Sequence, residues 1–314
     1  MQSDINLKLD IAGIKMKNPI MIASGIFGYG RDYLKIEDFK NEDTGAIILK
    51  GTTLNPREGN PQPRIVETPF GLLNSIGLQN PGIDAVINEY LPGLKEFSTN
   101  KIINIAGFSV EEFGEMAKKL DGHEQIQGIE VNISCPNVKE GGIQFGIEPN
   151  LSYKVLNIVS KNTSLPIIAK LSPDARDIKE IAVACIEGGA NALSLINTVP
   201  GIAVDIYKRR PMLGNNVGGL SGPAVKPIAL LKVHETYQIA KKYNIPIIGM
   251  GGIVCAEDIL EFIITGAKAV ALGTMLFVYH KTIQEILIDL KNLLKKMNIS
   301  DINHIVGTLT LNRS

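Results

Sequence analysis

Residues 246–274 read PIIGMGGIVCAEDILEFIITGAKAVALGT, and this stretch decides the fold. An apolar run, Pro246–Met250, is followed by two glycines, then by helical periodicity over Ala256–Ile264 and by a second apolar run, Ala269–Leu272. Strand, glycine turn, helix and strand in this order predict a parallel βαβ unit, because two parallel strands need a crossover between them.

The same alternation extends towards the N-terminus. Six further apolar runs predict buried strands at Pro19–Ala23, Ala46–Lys50, Ile102–Ala106, Gly128–Ile133, Pro166–Leu171 and Ala192–Ile196. Helical periodicity fits Ile83–Phe97, Val110–Leu120, Ala175–Glu187 and Val225–Tyr243. Eight such strands predict an α/β fold, a (β/α)8 TIM barrel with residues 1–314 as one domain; an open doubly wound sheet is the alternative.

Several segments lie outside the barrel pattern. Alternation over Asp4–Met16 predicts a β-hairpin across the bottom of the barrel, and Met275–Met297 reads as an amphipathic surface helix. The connections after strands 2, 4 and 6 (Gly51–Asn80, Pro136–Asn150 and Thr198–Pro223) are too long for simple turns. Because long loops in compact domains tend to be functional, the C-terminal face of the barrel is the predicted active-site face.

Composition excludes several classes of function. The 314 residues carry a formal net charge of zero and no Trp, which argues against nucleic-acid binding. No signal peptide or membrane-length apolar run is present, so no membrane association is expected. Three scattered cysteines give no disulfide framework. A cytoplasmic protein is the expectation.

Glycines follow the last two predicted strands, at Gly251, Gly252 and Gly273. Such glycines let backbone N–H groups approach a phosphate, which is the recurrent anion site of these barrels. The alternative is that they only relieve tight turns.

Two lysines end apolar runs, Lys50 after strand 2 and Lys170 near the end of strand 5. A charge at the barrel mouth needs a partner, and the edge of a reduced flavin would supply a negative one. A lysine that reaches out to solvent is the simpler alternative.

Cys135 begins the loop after strand 4. A cysteine there can act as a nucleophile, a metal ligand or a general base, although cysteines are most often small buried hydrophobes, which is our interpretation of Cys185 and Cys255. No CxxC or histidine spacing indicates a metal site, and none is predicted.

Amide side chains gather at the same predicted strand ends: Asn74, Asn132, Asn137 and Asn197, the last followed by Thr198. Amides offer both donors and acceptors, which match the edge of a cyclic imide, although each Asn alone is typical of a turn.

These motifs resemble the class 1 dihydroorotate dehydrogenases over nearly the whole chain. The matching segments are Lys50-Gly-Thr-Thr, Asn74-Ser-Ile-Gly-Leu78, Asn132-Ile-Ser-Cys-Pro-Asn137, Ile196-Asn-Thr198, Gly218-Gly-Leu-Ser-Gly222 and Met250-Gly-Gly-Ile253. Cysteine in the base position is typical of class 1. The run Cys135–Gly142 and the stretch Gly218–Pro223 are most similar to type B catalytic subunits.

The resemblance implies roles for individual residues. Cys135 would take a proton from C5 of dihydroorotate while hydride leaves C6 for FMN. Substrate would be held by Lys50, Asn74, Ser75, Ile76, Gly77, Leu78, Asn132, Asn137, Asn197 and Thr198. One FMN would be held by Ser24, Gly25, Ile26, Lys50, Gly51, Asn104, Asn132, Lys170, Ile196, Gly222, Gly251, Gly252, Gly273 and Thr274. Ile26 departs from the small polar residue expected there, so a hydroxyl contact would be lost and a backbone contact kept.

The resemblance also implies a route for the electrons. No second cofactor motif is present, and three scattered cysteines cannot form a four-thiolate iron–sulfur site. Type B enzymes use a partner subunit with FAD and a [2Fe-2S] cluster that reduces NAD, and the expected assembly is a homodimer within a heterotetramer. The alternatives are a type A enzyme that reduces fumarate, a Schiff-base aldolase barrel using Lys50 or Lys170, and a noncatalytic scaffold.

Overall fold

The structure is a computed structural model that describes residues 5–30, 43–134, 145–278 and 282–312. Eight parallel strands form a closed barrel in which each strand pairs with its neighbours along the chain, so the prediction of a (β/α)8 barrel is confirmed. In chain order, barrel strands 1 to 8 are Ile20–Ile22, Ala46–Ile48, Asn100–Ile105, Gly128–Asn132, Ile167–Lys170, Ala192–Leu195, Ile247–Met250 and Ala269–Leu272.

Both faces of each barrel strand are buried, which explains the continuous apolar runs. Alternate residues such as Met21, Ile48 and Ile168 point into the barrel and form one apolar cluster, while their neighbours pack under the helices. Because side chains alternate along a strand, every second residue near the strand ends also points inwards.

An antiparallel hairpin closes the bottom of the barrel, as predicted. Its strands, Leu9–Ile11 and Ile14–Met16, contribute apolar side chains to the inner cluster. Asn100, which begins barrel strand 3, donates from Nδ2 to the Lys15 carbonyl at 2.9 Å. The hairpin thus covers the N-terminal ends of the strands and leaves the opposite end open to ligands.

Helices surround the barrel. The main helices are Val110–Leu120, Pro149–Ser160, Ile178–Glu187, Lys226–Ala240, Ala256–Thr265 and Ile283–Lys296. Short helical segments are Ile83–Ala85, Met275–Val278 and, as 3-10 turns, Pro223–Val225, Lys241–Tyr243 and Ile302–Ile305. The predicted helix Ala175–Glu187 starts only at Ile178, where the Asp177 side chain accepts from the Lys179 N–H at 2.8 Å and caps the first turn.

Two helix predictions are wrong, and one helix is absent from the predictions. Ile83–Phe97 is not one α-helix: after Ile83–Ala85 the chain continues as a π segment, Val86–Tyr90, and a 3-10 segment, Leu91–Glu96, in which Pro92 lacks the N–H that a regular helix needs. The tail is not one helix either, since Thr282 starts a new one with a capping box to Glu285.

Pro149–Ser160 forms a helix that is absent from the predicted helices. A proline at its start and buried residues at Val155, Leu156 and Val159 are signals that the sequence carried.

The long connections after barrel strands 2 and 6 are not plain loops. They pair with each other in a four-stranded antiparallel sheet, in the order Val199–Gly201, Gly218–Ser221, Gly71–Asn74 and Ile65–Thr68. Part of the third connection, after barrel strand 4, lies outside the described residues. In the described ranges, no helix combines the length and apolar content needed to cross a bilayer.

Candidate functional site

A cavity of about 550 Å³ opens at the C-terminal ends of the barrel strands. One wall is the four-stranded sheet, through residues such as Leu72, Asn74 and Leu220. Many residues predicted from the sequence line this single cavity: Ser24, Gly25, Ile26, Lys50, Gly51, Asn74, Ile76, Gly77, Leu78, Asn104, Asn132, Lys170, Ile196, Asn197, Thr198, Gly222, Gly251, Gly252, Gly273 and Thr274.

Among the described residues, one predicted site residue, Ser75, is not on the lining. Ser75 is buried at 2% exposure, and its hydroxyl accepts from Asn60 Nδ2 at 2.9 Å, so its side chain has a structural partner away from the cavity. Cys135 and Asn137 lie outside the described residues.

Glycines shape one end of the cavity. Gly222, Gly251 and Gly252 have φ of 103°, 123° and 78°, a region that favours glycine. A Cβ on Gly252 would stand 2.9 Å from the Gly222 carbonyl oxygen, so the two turns touch through their backbones. Backbone exposed in this way is suited to a phosphate.

Two hydroxyls and Ile26 complete this side of the cavity. Thr274 Oγ1 donates to Ser221 Oγ at 2.7 Å, and Ser24 Oγ donates to the Leu49 carbonyl at 2.9 Å. The Ile26 N–H donates to the Ala23 carbonyl at 3.4 Å, so that N–H is already used within the turn.

The two predicted lysines differ in their surroundings. Burial, and secondly the positive charge of Arg64, lower the pKa of Lys50 below its usual value, and no described carboxylate offsets them. Lys50 therefore adds positive charge to the cavity wall without an anion of its own, which favours an anionic ligand.

Lys170 has a protein partner that the sequence interpretation missed. Its Nζ lies 3.7 Å from Oε2 of Glu130, whose side chain is fully buried. The same carboxylate accepts from Asn104 Nδ2 at 2.6 Å and from Ser194 Oγ at 2.7 Å. A flavin is thus not required to explain the burial of Lys170. Glu130 was overlooked because it sits inside an apolar run.

Asn104 provides a test of which ligand fits. Its Oδ1 is buried and has no hydrogen-bond partner among the described residues. A Cβ on Gly51 would stand 3.0 Å from this oxygen, so a glycine at that position leaves it uncrowded. A buried acceptor without a donor is costly, and the imide N–H of a flavin or of a dihydropyrimidine is a donor of the right kind.

Amides and hydroxyls form a second polar cluster on the lining. Asn197 Nδ2 donates to Ser134 Oγ at 2.6 Å, and Ser134 Oγ donates to Asn132 Oδ1 at 2.9 Å. Across the cavity, Asn74 Nδ2 is 3.3 Å from the Gly219 carbonyl. The cluster adds donors and acceptors without net charge, and its member Ser134 directly precedes Cys135 in the chain.

Together these features define a (β/α)8-barrel protein whose open end is chemically suited to an anionic ligand with a polar ring edge. The sequence profile described as dihydroorotate dehydrogenase matches residues 6–294. The chain therefore belongs to the dihydroorotate dehydrogenase family.

Individual relatives are similar over almost their entire length. A protein of Geotalea uraniireducens is 50% identical over 304 residues, which cover 97% of this chain and 98% of the relative. Proteins of Geotalea daltonii and Desulforamulus reducens are each 51% identical, over 98% of this chain and 99% of the relative. All three are named dihydroorotate dehydrogenase B (NAD(+)), catalytic subunit.

The glycine turns generate a prediction about stability. Gly252→Ala should destabilise the protein by about 1–3 kcal/mol, because the backbone has positive φ and the new methyl meets backbone atoms of Gly222 and Lys226. Gly273→Ala is the matched control, since its methyl would meet only Ala23 Cβ at 3.9 Å. Urea unfolding of both variants measures the difference; equal stability would contradict the close approach of the two turns.

Proposed function

We propose that this chain oxidises dihydroorotate to orotate in pyrimidine biosynthesis, with one FMN as hydride acceptor, as the catalytic subunit of an NAD-linked type B enzyme. The observation that carries the proposal is the cavity itself. Glycine turns, two lysines and a cluster of amides meet there, at the end of the barrel where such enzymes react, in a chain of the dihydroorotate dehydrogenase family.

FMN fits the residues present. The turns around Gly222, Gly251 and Gly252 suit its phosphate, and Asn104 Oδ1 lacks the donor that the imide N–H of the ring would supply. The remaining proposed contacts are those predicted from the sequence, with Lys170 beside the ring edge. When bound, FMN supplies the acceptor for the hydride that leaves C6 of dihydroorotate.

The protein's part in the reaction is to hold the substrate and remove the C5 proton. Lys50, which has no described carboxylate as partner, would bind the substrate carboxylate. The amides of Asn74, Asn132 and Asn197 would bind the ring, and the resemblance adds Asn137. Cys135 would be the base, and it can act only as a thiolate. Loss of a C5 proton and a C6 hydride leaves the double bond of orotate.

Electrons would leave through a partner subunit that carries FAD and a [2Fe-2S] cluster and reduces NAD. The support for this step is that the relatives are named catalytic subunits of an NAD-linked enzyme. We further propose that the chain is a homodimer within a heterotetramer in the cytoplasm.

The first experiment asks for the cofactor and the acceptor. The purified chain should be yellow, with the absorption spectrum of FMN, and should form orotate from dihydroorotate with an artificial acceptor. NAD reduction should require an added iron-containing subunit. Rapid fumarate reduction by the isolated chain would instead indicate a type A enzyme. A colourless protein that borohydride traps on a lysine would overturn the proposal in favour of an aldolase.

The base is tested by Cys135→Ser. A serine hydroxyl does not ionise near neutral pH, so turnover should fall about 100-fold or more while FMN binding is retained. Cys255→Ser is the matched control: the same change at the N-cap of the helix Ala256–Thr265, a residue not on the cavity lining, should leave turnover unchanged. A flavin-loaded Cys135→Ser enzyme with normal turnover would refute the assignment.

Lys50 gives a pH prediction. Its pKa is lowered, so the ammonium loses its proton at a lower pH than an ordinary lysine and then no longer attracts a carboxylate. Orotate binding, followed by the change in flavin absorbance, should weaken about tenfold for each pH unit above that pKa. The side chain of Lys50→Arg stays charged, so orotate binding to this variant should not weaken at alkaline pH. If binding weakens equally in both proteins as pH rises, Lys50 is not the group that titrates.

A further inference from the structure

Glu130 is a charged residue in the middle of the barrel. It lies in barrel strand 4, is 0% exposed and points to polar side chains of three other strands. Asn104 comes from strand 3, Lys170 from strand 5 and Ser194 from strand 6. A buried carboxylate is costly unless it is paired and hydrogen-bonded, and these three side chains supply the ion pair and the hydrogen bonds.

Glu130 fixes what Asn104 presents to the cavity. The Asn104 amide nitrogen donates to Glu130 Oε2 at 2.6 Å. A carboxylate only accepts hydrogen bonds, so the amide oxygen of Asn104 cannot take the place of the nitrogen. The oxygen of Asn104 is therefore held away from Glu130, where it has no partner among the described residues. The carboxylate thus makes Asn104 an acceptor for a ligand rather than a donor.

Glu130 also sets the charge that Lys170 presents. The Nζ-to-Oε2 distance is 3.7 Å and both side chains are buried, so the pair is close to neutral as seen from the cavity. Without the carboxylate, Lys170 would present a full, poorly screened positive charge to a ring bound beside it.

We propose that Glu130 is a positioning residue that acts on bound FMN through Lys170 and Asn104, and that its charge lowers the midpoint potential of the flavin. This inference depends on the proposed function, because it requires that FMN occupy the cavity.

The test is Glu130→Gln in the FMN-loaded enzyme. Glutamine has the same shape and keeps an acceptor for Asn104, so the dissociation constant of FMN should stay within about threefold of wild type. With Lys170 uncompensated, the variant should favour reduced over oxidised flavin about tenfold more than wild type does. This change corresponds to a rise in midpoint potential of about 30 mV for a two-electron couple. A potential equal to or below that of wild type overturns the proposal.

Ser194→Ala is the matched control. It removes the hydrogen bond to the other carboxylate oxygen and leaves the charge and the Asn104 contact in place. Its midpoint potential should remain that of wild type. A shift as large as that of Glu130→Gln would mean that any disturbance of the strand interior moves the potential, and would refute a specific role for the charge.

The double variant Glu130→Gln with Lys170→Met decides the matter if the single variant does not fold. Removing both members of a buried pair is often tolerated, whereas removing one leaves a buried charge. If the pair is neutral as proposed, the ratio of the protein's affinities for reduced and oxidised FMN should stay within about threefold of the wild-type ratio. A tenfold shift in favour of oxidised flavin would show that Lys170 acts uncompensated, which overturns the proposal.

Failure of this inference is distinct from failure of the proposed function. If wild-type protein binds no FMN, the proposed function is wrong and no potential exists to compare. If wild type binds FMN and forms orotate but Glu130→Gln leaves the potential unchanged, only the role of Glu130 is wrong.

Discussion

The carboxylate of Glu130, buried within the barrel, is the constraint on which the open end of the structure depends. Its two oxygens are occupied by Asn104 and Ser194, and its charge faces Lys170. Those donors come from three other strands and meet at Glu130 in the observed register of the sheet. Removing one partner of such a group costs several kcal/mol, so closure and polar pairing support each other.

Because side chains alternate along a strand, the inward-pointing residues that follow Glu130 line the cavity. Along barrel strand 4, Glu130 and Asn132 point inwards while Ile129 and Val131 pack under the helices. The bottom of the barrel is filled by apolar residues and sealed by the hairpin. Apart from Asn100, which bonds the hairpin, the polar inward side chains named above lie towards the end where ligands enter. A one-residue shift of any strand would exchange polar for apolar side chains.

The barrel was predictable because its signals are local. Ala256–Thr265 follows its helical periodicity to within one residue of the prediction. Seven of the eight strands lie within the apolar runs that indicated them, and the remaining one, Asn100–Ile105, overlaps its run and begins two residues earlier. The sheet over the cavity was not predictable, since Gly71–Asn74 and Gly218–Ser221 pair across more than a hundred residues and contain little β-branched sequence. Polar residues such as Asn197 could be assigned to the cavity from their position after strands, whereas the burial of Ser75 depends on a contact with Asn60 that no spacing reveals.

The two lysines at the barrel mouth differ in their partners, and this difference also depends on contacts between segments that the sequence does not reveal. From the sequence, Lys50 and Lys170 look equivalent, because each ends an apolar run at the barrel mouth. Pairing of barrel strands 4 and 5 gives Lys170 a buried carboxylate, whereas no described carboxylate offsets the burial of Lys50. Lys170 already faces the Glu130 carboxylate, whereas the positive charge of Lys50 is available to an anionic ligand in the cavity. The difference between the two lysines is thus set by which strand has an acidic neighbour: Glu130 in barrel strand 4 lies beside strand 5, which carries Lys170.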